Sequence, residues 1–245
     1  MKVAVLMLSY ERYDTLKRVL DHNLANAGHP FDLFIWDNGS KDERVLKLFN
    51  KSEVKTIYSS HTNEGIARPF NFMLSGLDNL QYDAYHFMAN DILEPDNWLY
   101  SKIKYLEAIP NSGMIAHCPG DTGYPYNEIA GRPLYIGDVI GNCMISRQVF
   151  QKVGAFREDF GLYGPIDCDY NTRCRIAGFI NYYIPGKSIH LDDGDRNLYG
   201  YNKDEAVAKT WPVYVDSIDG YLADPDSIYK VPDGETNFNA EQYVQ

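Results

Sequence analysis

Val3-Ala4-Val5-Leu6-Met7-Leu8-Ser9-Tyr10-Glu11-Arg12 opens the chain with a six-residue apolar run that stops abruptly in polar residues. The run reads as a buried strand over 2–8, and the pattern of the next eighty residues decides its company. Leu16, Val19, Leu20 and Leu24 recur at helical spacing across 14–27, between an Asp-Thr start and a Gly28 stop. The same alternation continues outward: a strand at 31–36, a helix at 43–51, a strand at 54–59, a helix at 66–80 and a strand at 84–88. Strands that alternate with helices are joined by right-handed crossovers, which gives a mostly parallel sheet flanked by helices. Ligands of such sheets bind at the carboxyl ends of the strands, so the residues just after each strand are the ones to read for chemistry.

Beyond residue 95 the pattern loosens. Pro95 suits the first turn of a helix over 95–109, with Leu99, Ile103 and Leu106 as its inner stripe. A strand is predicted at 113–117. The stretch 119–133, rich in Gly, Pro, Tyr and Asn, reads as a long binding loop. Two further strands are predicted at 139–145 and 179–184. Periodicity fades from residue 192. The predicted organisation is one α/β core over 1–192, with a nucleotide-binding half to about 95 and a catalytic half over 96–192, then an irregular C-terminal extension over 193–245.

Composition narrows the function classes. A chain of 245 residues with 44% hydrophobic content can bury a sizeable core. Its 20 tyrosines supply flat, amphipathic surfaces suited to sugar or base stacking, although core packing claims most of them. A net charge of −11 with no Lys/Arg-rich run leaves no strong nucleic-acid footprint and disfavours anionic membranes. Cys118, Cys143, Cys168 and Cys174 form no CxxC pair and no common zinc pattern, so reduced, partly buried thiols are expected. The apolar run at 3–8 is too short for a signal sequence or a membrane span, which points to a cytoplasmic protein with no stable membrane insertion.

Four strand-end or helix-start segments carry acids. Asp37, before Asn38-Gly39-Ser40, can accept from a base imide or a ribose hydroxyl, or simply close an Asp-Asn-Gly turn. Asn63-Glu64-Gly65-Ile66-Ala67-Arg68 opens the third helix, where Gly65 permits close backbone approach and Arg68 can clamp a diphosphate. Asp91, after Ala89-Asn90, is placed to hold a divalent cation or to be a solvated loop acid. His190, beside Asp192 and Asp193, can supply an imidazole to the same ion or serve structure alone. Asp167, in Gly164-Pro165-Ile166-Asp167-Cys168-Asp169, lies between a Gly/Pro turn and a helix start, the place of a helix cap or of a general base.

The order of these segments resembles family 2 glycosyltransferases, in particular the rhamnosyltransferase-like branch. The likeness runs over about 2–192 and is carried by Leu8-Ser9-Tyr10-Glu11-Arg12, Asp37-Asn38-Gly39-Ser40, Asn63-Glu64-Gly65 through Asn71, Asn90-Asp91 with Pro95-Asp96 and Trp98-Leu99, Gly154-Ala155-Phe156 with Asp167-Cys168-Asp169, and His190. The resemblance implies a nucleotide-diphospho-sugar transferase (GT-A) fold. It places Ser9, Tyr10, Arg12, Asp37, Asn38, Asn63, Gly65, Arg68 and Asn90 at the nucleotide, and Asp91 and His190 on a divalent metal, Mn²⁺ or Mg²⁺. Asp167 would be the base, and Asp169 would serve the acceptor. Two positions depart from the family. Ala89 stands where the first metal-motif acid falls, and Ile166 stands where a Glu precedes the catalytic Asp.

The implied reaction is inverting transfer from a nucleoside-diphosphate sugar, a UDP-sugar by family habit, to a hydroxyl on a glycan, a small molecule or a hydroxymethylated nucleobase of viral DNA. The segment 192–211, with Arg196 and Lys203, is expected to act as a lid over the donor diphosphate. Competing readings are fewer. A pyrophosphorylase would carry a Gly-rich, Arg-bearing loop after the first strand, and a nicotinamide dehydrogenase would carry G-x-G-x-x-G; neither is present. A nucleotide-sugar-binding or scaffold protein with little or no turnover is the non-enzymatic alternative, motivated by Ala89 and Ile166.

Overall fold

The computed structural model describes residues 1–50, 53–77, 82–118, 123–191 and 202–226. In its first half, β1 (Val3–Ser9), β2 (Asp32–Asp37), β3 (Val54–Ser59) and β4 (Ala84–Ala89) alternate with α1 (Tyr13–Ala25), α2 (Glu43–Phe49) and α3 (Ala67–Leu77). These four strands pair in parallel in the order β3-β2-β1-β4. β1 sits inside the sheet, and its residues divide between two cores: Ala4 and Leu6 on one face, Val3, Val5 and Met7 on the other. That is why it reads as a continuous apolar run rather than an alternating one.

The second half contributes β5 (Ile92–Leu93), α4 (Trp98–Ala108), β6 (Ser112–Cys118), β7 (Tyr126–Ile129), β8 (Arg132–Ile136), β9 (Cys143–Ser146), α5 (Arg147–Val153), α6 (Ile166–Ile176), β10 (Ile180–Lys187), β11 (Ile189–His190) and α7 (Lys203–Ala223). The large sheet runs β3-β2-β1-β4-β9-β6-β10-β8-β7, and β5 with β11 makes a separate two-stranded sheet. β9 is antiparallel to both β4 and β6, and β8 to both β10 and β7, so only these two run against the other seven. α1, α2 and α4 cover one face, with Leu16, Val19, Val45, Phe49, Trp98 and Leu99 in its core; α3, α5, α6 and α7 cover the other. The expected α/β sheet is therefore present, with both faces clad in helices.

Three expectations for the second half change. The loop predicted at 119–133 contains a β-hairpin over 126–136, and residues 119–122 lie outside the described set. Its turn is Ala130-Gly131 at φ 52° and 70°, the left-handed pair that matches the twist of two antiparallel strands. The strand predicted at 139–145 shrinks to β9, because Gly141 turns the chain at φ 76°. The extension read as irregular contains α7, capped by the Asn202 side chain on the Asp204 and Glu205 N–H groups. α7 buries only Tyr214 and Tyr221, so its inner stripe is made of tyrosines that a hydropathy pattern barely registers. Residues 192–201 of the expected lid lie outside the described set. Among the described residues no helix is long and apolar enough to cross a membrane. The four cysteines are free thiols, Cys143 and Cys174 buried, Cys118 and Cys168 half-buried.

Candidate active site

A cavity of about 560 Å³ opens where the strand tips of the first half meet β9, α6 and the start of α7. Leu8, Tyr10, Asn38, Asn63, Gly65, Asn90, Asp91, Tyr163, Asp167, His190 and Lys203 are among the residues that line it. Ligand binding at the carboxyl ends of the strands is what the sheet order anticipates.

Around Asn38, Asn63 and Gly65 the side chains mostly hold one another. Asn38 accepts from Trp36 Nε1 (3.0 Å) and the Glu64 N–H (3.1 Å), and donates to the Gly65 carbonyl (2.8 Å). Asn63 accepts the Gly65 N–H at 2.9 Å. Gly65 has φ 81°, and a Cβ there would come within 2.7 Å of the Leu162 backbone, so the close approach it permits is to the 160s loop of the same chain. Ser9 is buried at the end of β1, and its Oγ has no hydrogen-bond partner among the described residues.

Of the residues expected at the nucleotide, Ser9, Arg12, Asp37 and Arg68 are not on the cavity wall. Asp37 is buried, and its two carboxylate oxygens accept the Ser40 N–H (2.9 Å) and Ser40 Oγ–H (2.6 Å). Burial raises its pKa, with the Ser40 bonds opposing. It shapes the Asp-Asn-Gly-Ser turn, and Asn38 rather than Asp37 lines the cavity. Arg68 is partly exposed and pairs with Glu64 one helical turn earlier (3.1 Å), away from the cavity wall.

The wall at Asp91 and His190 is assembled by the small β5–β11 sheet. Pairing of His190 with Ile92 and of Ile189 with Leu93 brings His190 beside Asp91, and the Leu191 N–H bonds the Asp91 carbonyl (2.7 Å). α1 fixes β5 from below, because buried Asn23 donates to the Ile92 carbonyl and accepts the Glu94 N–H, both at 2.9 Å. Behind it lies a charged group the sequence did not disclose. Glu94 takes the Lys102 ammonium and the His117 ring, each at 2.9 Å, and Lys102 also meets His86 at 2.9 Å. Burial pushes the Glu94 carboxyl upward, but Lys102 and His117 outweigh it and hold it below the usual carboxylate range. His86 is held neutral by burial and by Lys102.

Asp91 and His190, the pair expected on a metal, do converge: His190 Nε2 lies 3.5 Å from Asp91 Oδ2. The same Oδ2 accepts from Arg12 Nη1 at 2.9 Å, while Arg12 Nη2 donates to the Leu191 carbonyl at 3.1 Å. Ala89 offers no ligand. Among the described residues no three His, Cys, Asp or Glu side chains stand together as a ligand set. A divalent ion on Oδ2 at its ordinary distance of about 2 Å would face the guanidinium. As arranged, this donor set fits an ion pair and does not fit a metal ion.

Asp167 lies in the first turn of α6 and lines the cavity. Its carboxyl is crowded by protein and pushed up to about 6 by burial, against a hydrogen bond from the Gly141 N–H. Among the described residues no cation pairs with it. Asp169, two residues on, points the other way. It is fully buried, accepts from Arg173 Nε (2.7 Å) and Tyr221 Oη (3.0 Å), and lies 3.6 Å from Arg157. Asp169, expected to serve the acceptor, ties α6 to α7 and is not on the cavity wall. Gly141, Asn142 and Tyr163 line the cavity without having been singled out, and Lys203, named with the expected lid, lines it as well. The Gly141-Asn142 pair was the available signal, a turn dipeptide hidden inside an apolar run.

The fold, a single α/β domain on a large, mostly parallel sheet, is similar to that of a solved glycosyltransferase structure. The particular structure is a mannosyltransferase from Pyrobaculum calidifontis in complex with GDP-Man and Mn²⁺, similar at TM-score 0.59 and 16% identity over 94% of this chain and 72% of that one. At that identity the likeness is one of fold. No protein-family model matches the chain, and no curated protein matches it.

Proposed function

We propose that the chain is an inverting glycosyltransferase that moves a sugar from a nucleoside-diphosphate sugar to an acceptor hydroxyl. The observation that carries this reading is Asp167: a carboxyl pushed up to about 6, with no cation paired to it among the described residues, on the wall of a cavity shared with the tips of β1, β2 and β4. A base poised just below neutrality is ionised at pH 7 yet still able to accept a proton as the acceptor oxygen becomes nucleophilic. In the step, Asp167 takes the hydroxyl proton and the acceptor oxygen bonds to the anomeric carbon. The bond from that carbon to the diphosphate breaks on the opposite face and leaves the nucleoside diphosphate. One base suffices and no enzyme nucleophile is needed.

The nucleotide belongs beside Tyr10, Asn38, Asn63 and Gly65, the diphosphate near Asn90, His190 and Lys203, and the acceptor beside Tyr163 and Asp167. UDP is the commonest leaving group of the family the sequence resembles, whereas GDP-Man occupies the solved mannosyltransferase, so the base is part of the test. The acceptor is a glycan, a small molecule or a hydroxymethylated nucleobase. Thermal unfolding of the chain with UDP-, GDP- and dTDP-sugars should show one nucleotide series raising the midpoint, since a ligand of the native state stabilises it by mass action. A midpoint unmoved by every donor, with or without Mn²⁺, would overturn the reading.

A further inference from the structure

We propose that Arg12 is the built-in counter-cation of Asp91, so that this chain binds its nucleoside diphosphate without a divalent metal. The inference rests on the nucleotide-sugar reading above and deepens it.

The Arg12–Asp91 pair is enclosed, with side chains 5% and 11% exposed. Surface pairs fluctuate and are screened; an enclosed pair is maintained by the surrounding structure. The backbone is shaped to deliver it. Glu11 and Arg12 are consecutive non-glycine residues at φ 51° and 60°, a left-handed conformation that L-residues hold only where their surroundings over-determine it. Those surroundings are visible. The Glu11 carboxylate accepts the Lys41 N–H (2.9 Å) and the Asp42 N–H (3.3 Å), and the Glu11 N–H donates to Ser40 Oγ (2.7 Å). The turn after β1 is thus pinned by the loop after β2, and Arg12 is aimed from it at the tip of β4. Its second arm reaches the Leu191 carbonyl, next to His190.

Two further observations point the same way. Ala89 turns its N–H to Asn142 Oδ1 (2.7 Å) and has no side-chain donor for an ion. His190 Nε2 approaches the same Asp91 oxygen that Arg12 already holds. The consequence is electrostatic. An unpaired Asp91 on the cavity wall would repel a diphosphate, and a bound dication would cancel that charge; here the guanidinium cancels it from behind. Among the described residues His190 and Lys203 are basic side chains on the wall itself, while His117, also on the wall, is turned to Glu94. Arg12 acts through Asp91, as a positioning residue.

Isothermal titration of the wild-type chain with UDP, GDP and dTDP, in excess EDTA and in Mn²⁺, tests this directly. For the nucleotide that binds, the dissociation constant is expected to change by less than about tenfold between the two conditions, a shift under one decade of affinity. Weakening by about tenfold or more in EDTA overturns the inference while leaving the transferase reading intact. No binding of any nucleotide in either condition overturns both. Arg12→Gln, checked for folding by circular dichroism, should open Asp91 to the ion: Mn²⁺ binding appears by electron paramagnetic resonance and nucleotide binding becomes Mn²⁺-dependent. Arg12→Lys should retain metal-independent binding. A folded Arg12→Gln chain whose nucleotide affinity is indifferent to both the substitution and Mn²⁺ contradicts the role. If Arg12→Gln does not fold, the wild-type titration decides alone.

Discussion

The cavity wall and the α6–α7 interface each take an aspartate from the same helical turn, and they use it in opposite ways. Asp167 faces the cavity with no cation beside it among the described residues, and its carboxyl is pushed up to about 6 by burial. Asp169 faces inward and is held by Arg173 and Tyr221. Residue type and neighbourhood in sequence are shared; direction is what differs. An acid held by an enclosed cation is committed to the fold, and one crowded but unpaired is available for proton transfer. By the same criterion Asp91 and Glu94 belong with Asp169.

The largest expected effect comes from breaking this contrast on the cavity side. Asp167→Asn keeps shape and capping ability but cannot accept a proton, so turnover should fall by roughly 10²–10⁴-fold while nucleotide affinity persists. Stability should move the other way. The folded chain favours the protonated form of Asp167, so the stabilisation tied to that proton is present at low pH and is lost as pH rises through about 6. At pH 8 the Asn variant should therefore unfold at the same denaturant concentration as the wild type or a higher one. A variant that is inactive because it is unfolded would refute the assignment.

Asp169→Asn is the opposite experiment. It leaves Arg173 buried without its carboxylate, which costs about 3 kcal/mol of unfolding free energy, the low end for a broken buried pair because Arg173 keeps the Val153 and Ala155 carbonyls. Turnover per folded molecule should stay near normal. If Asp169→Asn is stable and inactive while Asp167→Asn is active, the two roles are exchanged. Smaller still is Tyr221→Phe, which removes one hydroxyl shared between Asp169 and Arg157. It should lower stability by about 1 kcal/mol in urea denaturation and leave the cavity chemistry untouched. A loss of turnover in Tyr221→Phe would mean that α7 contributes to the site through more than its first residue.

The first half of the fold is legible because each strand is an apolar run and each helix carries a 3.6-residue stripe, with boundaries shifted by a residue or two. β7 and β8 hide among Gly and Pro residues that mark turns as readily as loops. α7 hides behind tyrosines. β5 and β11 have two residues each and pair across almost half the chain, which no local pattern can announce. The same holds for side-chain direction. The motifs place Asp37, Arg68 and Asp169 in the right segments, but whether each faces the cavity depends on contacts made by Ser40, Glu64 and Arg173. Arg12 is legible as a pocket residue and illegible as the partner of Asp91, since that pairing exists only once β1 and β4 lie side by side.

The central claim is that Asp167 is the base of a sugar transfer, and the pH dependence of nucleoside-diphosphate release from the preferred donor tests it most directly. The wild-type rate, measured as kcat/KM between about pH 5 and 8, should rise with pH to a plateau with a break near about 6, the ionisation of Asp167. Folded Asp167→Asn should show the low rate with no such break. A wild-type profile flat through that range, or the same break persisting in Asp167→Asn, would contradict the account.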